Sequence, residues 1–422
     1  VYKKIILPNG LRVVAHPLAK MQSASLGIWI NIGGRYETPE FKGISHYLEH
    51  LLFKGSKKYS CRSIKESIEG VGGSLNGFTS EELTCYLVKM PALHLNLALD
   101  ILSDMIINPL LPEEEIEKER TVIQEEAKMY KDLPQSYVHE LLDELLWPEQ
   151  PLGMSIIGTA ESISRIKKTE LSSYQKRFYA PPNITISVCG RIDYKGMFKR
   201  VDKIFGRLSG KEISAFSKAE EKQLRPQLKL FTKDTEQTHL ALGFHGLMRG
   251  HPLRHALGLL HIVLGANMSS RLFNELREKR GLAYEIGTQV KRFHDTGSFL
   301  VHAGIDNHKV LEAIGLILKE LAKSKNELVT LGEFRRAKDF YLGQLVLALE
   351  DTLDHMLWIG ESTACLNKTY TLKEIVKEVS ATKREDILKA ANLIFKENNT
   401  NLALIGPSKD SESQIYNQLN IN

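Results

Sequence analysis

The chain has 422 residues, 42% hydrophobic and 25% charged, with 56 Lys and Arg against 51 Asp and Glu. That length exceeds one average domain and makes two the natural expectation, in a composition ordinary for globular proteins. A net charge of +5, with no dense basic block interleaved with aromatics, gives nucleic-acid binding no support, and no apolar run reaches membrane-spanning length.

Val1 to Leu7 is basic and then apolar, but Pro8-Asn9-Gly10 cuts it short. Residues 4–16 therefore read as a hairpin rather than a signal peptide. The chain opens on Val1 rather than Met, which leaves a trimmed leader, and an organellar or exported origin, open. Ser23 to Ile32 is a run of β-formers and predicts a central strand. Gly33, Gly34 and Pro39 mark a loop.

The next stretch is His46-Tyr47-Leu48-Glu49-His50, or H-x-x-E-H. On a helix, i and i+4 share a face and i+3 lies beside them. Two imidazoles and one carboxylate are thus aimed at one point. Ile44, Leu48, Leu51 and Leu52 supply an apolar stripe beside that face, and Gly55 a stop. Two neutral imidazoles suit zinc, and a carboxylate kept off the metal can hold and deprotonate a water. With 14 His in 422 residues, a chance match is on the order of a few per cent. The motif therefore needs a third ligand.

Residues 60–70 predict a short helix closed by Gly70. Ser74 to Thr79 and Glu82 to Met90 read as paired strands, and Pro91 to Asn108 as a helix. Pro112 opens a long helix to about Tyr130, with Glu113, Glu114 and Glu115 in its first turn, as the dipole prefers. That helix carries Glu119, Glu125 and Glu126. Glu119 and Glu126 are two turns apart on one face. A carboxylate from a second packed helix would complete a His2Glu site, and spacing alone leaves open which one. Helices follow over 136–147 and from a Thr169 cap to Tyr179, then a strand from Asn183 to Gly190. Cys61, Cys85, Cys189 and Cys365 are scattered, so reduced thiols in a reducing, cytoplasmic compartment are expected.

Residues 211–228 are polar and without period. They read as a linker between a first domain, 1–210, and a second, 229–422. The second half repeats the first: strands near 228–231 and 238–244, helices over 252–264 and 269–279, strands over 284–292 and 297–303, helices over 308–322, 331–358 and 383–395, and a strand over 401–406. The helix from His255 to Gly265 falls where H-x-x-E-H falls, without the Glu. A duplicated α+β fold follows, each half a mostly antiparallel sheet packed with helices, with one metal site.

H-x-x-E-H is the inverted zincin motif. Together with Glu119-Arg120-Thr121-Val122-Ile123-Gln124-Glu125-Glu126 it resembles the M16 (pitrilysin/insulysin) metallopeptidases. In length and in ERTVIQEE it is similar to the M16B branch, the mitochondrial-processing-peptidase-like proteases with their LuxS/MPP-like metallohydrolase fold. The likeness runs through FKGISHYLEHLLFKGS, GGSLNGFTSEEL, Pro151 to Thr159, Tyr179 to Asn183 and SSRLFNELREKRGLAY at 269–284. It implies a zinc endopeptidase with His46, His50 and Glu126 as ligands to Zn2+, Glu49 as general base and Glu119 orienting a ligand. Asn76, Gly77 and Phe78 match the family's substrate-binding edge strand, with Gly77 where Ala is common. Arg277 and Tyr284 match a pair of donors for the scissile carbonyl or the substrate backbone. Mitochondrial enzymes read a substrate Arg with two acids. By offset Ser136 and Glu140 stand there, so one acid is missing and Arg-directed presequence cleavage is not implied.

The resemblance also implies extended peptide substrates in a chamber between domains, for leader-peptide maturation or peptide clearance. It implies a homodimer with shared active sites, because in four-domain relatives the domain facing the zinc is the last. The alternative is a non-catalytic subunit acting in assembly or as partner of a second chain. Such subunits lose parts of H-x-x-E-H, and here all five candidate metal-site residues stand.

Overall fold

A computed structural model describes residues 1–211, 216–407 and 411–419 of the chain. Residues 212–215 of the expected linker lie outside the described residues. Six strands build the first sheet: β1 (Lys3–Ile6), β2 (Arg12–Pro17), β3 (Ser23–Ile30), β4 (Ser74–Thr79), β5 (Thr84–Pro91) and β6 (Ile184–Gly190). Their order is β1-β2-β6-β3-β5-β4. Five strands build the second: β7 (Gln227–Thr232), β8 (Gln237–His245), β9 (Ala283–Arg292), β10 (Gly297–Asp306) and β11 (Asn401–Gly406), in the order β7-β11-β8-β10-β9.

Without β1, the two orders are the same order. Each sheet has one parallel pair, β2 with β6 and β7 with β11, and antiparallel neighbours elsewhere. The α+β duplication expected from the sequence is present as repeated topology. Burial follows position. The central strand β6 is buried throughout, whereas the edge strand β4 alternates exposed and half-buried residues.

The chain forms two compact units, and neither is one continuous segment. The first takes Val1–Ala127, Ser155–Ser217 and Val346–Tyr370. The second takes Lys128–Met154, Lys218–Leu345 and Thr371–Asn422. These run differently from the contiguous halves 1–210 and 229–422. In the first unit, Leu26, Ile28 and Ile30 of β3 pack with α1 (Ile44–Leu52), α2 (Cys61–Glu69) and α3 (Leu95–Ile107) in the main core. The next helix is α4 (Glu113–Asp132). On the other sheet face, Trp29, Cys85, Leu87 and Cys189 meet Met356 and Ala364 of the helix Thr352–Leu366. The second unit mirrors this: α5 (Pro134–Leu146) lays Val138, Leu141 and Leu142 against Ala241, Leu300 and Ala403. Each sheet is thus covered on one face by a helix encoded with the other sheet.

A single helix over 331–358 is not what forms. The chain breaks between Leu331–Ala348 and Thr352–Leu366 because Asp351 is extended and its Oδ1 accepts the N–H groups of Leu353 at 2.7 Å and Asp354 at 3.3 Å. Thr169 is likewise not a cap. Its helix starts at Lys168, and Glu170 accepts the Lys167 N–H at 3.0 Å.

The crossing of Thr352–Leu366 over the first sheet depends on glycine. A Cβ on Gly360 would lie 2.2 Å from Nε1 of Trp29, and one on Gly27 would lie 2.5 Å from Sδ of Met356. The Trp29 indole N–H donates to Ser187 Oγ at 2.8 Å in the same place. Gly360→Ala is expected to displace the helix and lower stability by about 1–3 kcal/mol. Urea unfolding followed by tryptophan fluorescence checks this, and a wild-type midpoint would refute it.

Candidate metal centre

α1 begins where the sequence permits a left-handed residue. Gly43 has φ of 95°, and a Cβ there would lie 2.3 Å from the Ile157 carbonyl oxygen. The buried Glu37 carboxylate receives the helix's leading N–H groups: Oε2 accepts from Gly43 at 2.9 Å and Oε1 from Ser45 at 2.8 Å. An anion there meets both the open N–H groups and the helix dipole. Lys42 Nζ stands 3.5 Å from the same carboxylate. The stripe residues Ile44, Leu48, Leu51 and Leu52 are all buried. Tyr47 is buried as well, and its hydroxyl donates to the Ile116 carbonyl, which pins α1 to α4.

On α4, Ile116, Glu119 and Ile123 are buried, and Glu126 follows two turns after Glu119. Oε2 of Glu126 lies 3.7 Å from Nε2 of both His46 and His50, and the two rings are 4.6 Å apart. Among the described residues, His46, His50 and Glu126 are the one group of its kind, with donor atoms all within 4.8 Å of one another. A spacing of 3.7 Å is too long for hydrogen bonds. It is close to the separation of two atoms that each sit ~2.1 Å from one ion. His46 Nδ1 is buried and has no hydrogen-bond partner among the described residues. Burial lowers the His46 pKa to about 4, and the neighbouring His50 adds to this, so the ring is a neutral donor at neutral pH. The residues fit a metal of the zinc type.

Glu119 differs from Glu126. Its Oε2 is 3.0 Å from His50 Nδ1 and its Oε1 is 2.5 Å from Lys54 Nζ. Burial pushes its carboxyl up, but hydrogen bonds from Lys54 and His50 and their charges outweigh this and bring it below the ordinary value. Both its oxygens are engaged, one by Lys54 and one by Nδ1 of His50, on the side of that ring away from the Nε2 that Glu126 approaches. Glu125 is exposed.

Glu49 is buried beside β4, where its Oε2 accepts from the Thr79 hydroxyl at 2.9 Å. Burial pushes its carboxyl above the ordinary range, partly offset by that hydrogen bond. The three edge-strand residues do not share one side of β4. Gly77 shares the half-buried side of β4 with Thr79, whereas Asn76 and Phe78 are exposed. The Phe78 ring meets Trp29 at 5.9 Å. A Cβ on Gly77 would lie 3.0 Å from the Phe53 ring and 3.1 Å from Oε1 of Glu49. The Gly77 N–H donates to Asn76 Oδ1 at 2.8 Å.

In the second unit, Arg277 lies in a six-residue π-helical stretch, Phe273–Glu278. Its guanidinium stands 5.0 Å from the Phe273 ring centre and 5.4 Å from that of Tyr284. Tyr284 is 73% exposed at the start of the edge strand β9. Lys279 and Arg280 both pair with Glu275, whereas Arg277 has no carboxylate partner among the described residues. Glu140 is half-buried on α5 of the second unit. The histidines of the helix Arg254–Leu264 find other partners: His255 meets Glu378 at 2.8 Å and His261 meets Thr288 at 2.7 Å.

Sequence reasoning missed Glu37, Lys54 and Thr79. Thr79 had a signal, because it lies two residues from Gly77 and so on the same strand face. Glu37 and Lys54 had none, since the groups they meet, the start of α1 and the Glu119 carboxylate, are brought to them only by folding.

Residues 12–160 match the model of insulinase (peptidase family M16), and residues 165–341 that of the peptidase M16 inactive domain. The uncharacterized zinc protease YmxG of Bacillus subtilis is 38% identical over 97% of this chain and 100% of its own length. An uncharacterized zinc protease of Streptomyces coelicolor is 34% identical over 97% of this chain and 91% of its own. The crystal structure of a protease from Helicobacter pylori matches with a TM-score of 0.89 at 24% identity, covering 96% of this chain and 99% of that one. A peptidase M16 inactive domain structure from Pseudomonas fluorescens matches at 0.89 and 17% identity, over 97% and 99%. The two structures speak for the fold, and the full-length identities for descent: the chain belongs to peptidase family M16.

Proposed function

We propose that this protein is a zinc-dependent endopeptidase that cleaves unfolded or extended peptides. One observation carries the reading. His46, His50 and Glu126 converge with the Glu49 carboxylate at their side, in a family whose bacterial members are named zinc proteases. His46, His50 and Glu126 would hold zinc, which when bound would supply a Lewis acid for a peptide carbonyl and for a water. Glu49 takes the water's proton and delivers it to the leaving amine. Its burial favours a base of raised pKa, and Thr79 occupies Oε2, which leaves Oε1 for the proton. Glu119 holds Nδ1 of His50, so that Nε2 is turned to the Glu126 carboxylate.

β4 is the outermost strand of its sheet, and an extended peptide adds to it beside Asn76, Gly77 and Phe78. The Gly77 N–H, satisfied by the Asn76 side chain, is a donor that a peptide carbonyl can take over. Arg277 and Tyr284, paired in the second unit, are donors suited to the developing oxyanion. Glu140 supplies an acid for a basic substrate side chain. We assign Arg277 and Tyr284 to the site of a second copy, so that the working form is a homodimer with two shared sites.

Three outcomes are expected. His50→Ala should lose most of its bound zinc, and metal analysis showing wild-type content would sink the ligand assignment. Glu49→Gln should keep zinc and the fold but lose about 100- to 10,000-fold in peptide turnover. Near-wild-type turnover by the zinc-loaded variant would rule out the base. Mixing Glu49→Gln chains with Tyr284→Phe chains should restore activity above either parent, because a mixed dimer has one site with both residues intact. No rise after demonstrated subunit exchange would refute the shared site.

A further inference from the structure

We infer that Lys54 is a positioning residue of the metal centre, acting on His50 through Glu119. The inference rests on the reading of His50 as a zinc ligand. α1 ends at Leu52 with Phe53 as its C-cap, and the Lys54 N–H donates to the Leu51 carbonyl at 3.0 Å. This tight end sets where the side chain starts. From there the ammonium reaches α4 and stands 2.5 Å from Oε1 of Glu119. The other oxygen of that carboxylate stands 3.0 Å from Nδ1 of His50, whose Nε2 faces Glu126 at 3.7 Å. The result is a line of three side chains, Lys54 to Glu119 to His50, that ends on the metal-facing nitrogen.

Two consequences follow from the line. Glu119 has two oxygens, and each has a donor, so the plane of the carboxylate is fixed and with it the plane of the imidazole. Turning Glu119 toward the metal would break both contacts. The Glu119 side chain is 7% exposed, so without Lys54 its Oε1 would be an acceptor with little access to water. The carboxylate would then rotate to find another donor, and His50 would lose its fixed orientation. A surface ion pair contributes little. This one differs because one partner is buried and already holds a ligand. Lys54 also stands at the C-terminal end of the helix that carries both histidines, where a cation is favoured.

The test is zinc affinity, measured on purified metal-free protein by competition with a chelator of known affinity. Six chains are compared: wild type, Lys54→Met, Glu119→Gln, the double variant of those two, Lys54→Arg and His50→Ala. Lys54→Met and Glu119→Gln are each expected to weaken zinc by about 10- to 100-fold. The double variant should bind no worse than Glu119→Gln alone, because the two residues act in series. Lys54→Arg should restore most of the affinity. Circular dichroism of the metal-free chains verifies folding, and Lys54→Ala replaces Lys54→Met if the latter does not fold. Unchanged affinity in Lys54→Met beside a weakened Glu119→Gln would overturn the role of Lys54 and leave the site standing. Additive losses in the double variant would overturn it as well. Wild-type affinity in both Glu119→Gln and His50→Ala would instead overturn the site.

Discussion

Where a nine-residue helix begins decides whether this protein has a metal site. A helix turns about 100° per residue, so one residue of slip would swing His46 and His50 away from Glu126. The register is held from outside the helix. Gly43 takes a backbone conformation that other residues resist, and the Glu37 carboxylate accepts the N–H groups of Gly43 and Ser45. A cap of this kind contributes about 1–2 kcal/mol. Its larger effect is geometric, because it fixes the rotation of two imidazoles and a carboxylate together. Tyr47, bonded to the Ile116 carbonyl, then fixes α1 against the helix that brings the third carboxylate.

The two carboxylates of α4 show how neighbours separate chemically similar groups. Glu119 and Glu126 have the same side chain and share a helix face. Glu119 is buried, with a cation on one oxygen and an imidazole N–H on the other. Glu126 keeps an oxygen equidistant from two imidazole nitrogens. Position relative to α1, not intrinsic chemistry, divides the roles. The same holds for the histidines of the second unit. His255 and His261 lie on the helix that corresponds to α1, but a carboxylate and a threonine hydroxyl engage them one at a time.

Much of this was legible in the sequence, for identifiable reasons. The i, i+4 histidines and the two-turn Glu119/Glu126 spacing are helical geometry, which needs no tertiary information. The repeat was readable because matching strands end each half, Ile184–Gly190 and Asn401–Gly406. What escaped depends on distant chain segments. The break at Asp351 was hidden because the flanking residues suit a helix on either side, and one side-chain cap decides it. Glu37 and Lys54 are ordinary charged residues until folding places a helix end or a buried carboxylate beside them. Asn76, Gly77 and Phe78 form one motif in the sequence, yet the pleat sends their side chains to opposite faces.

The helix Thr352–Leu366 has a consequence for how the protein is made. It covers Trp29, Cys85 and Leu87, residues of strands completed early in synthesis. A ribosome adds ~5–20 residues per second, so the stretch between Ser217 and Val346 takes on the order of ten seconds to emerge. Over that interval one face of the first sheet has no cover of its own, whereas α5 leaves the ribosome before the sheet it will cover. The ligand-bearing helices α1 and α4 are complete long before the last piece of their own unit. The nascent chain therefore passes through a stage in which His46, His50 and Glu126 have all been made while the cover of an aromatic sheet face has not. That places the greatest exposure to aggregation late in translation rather than at its start.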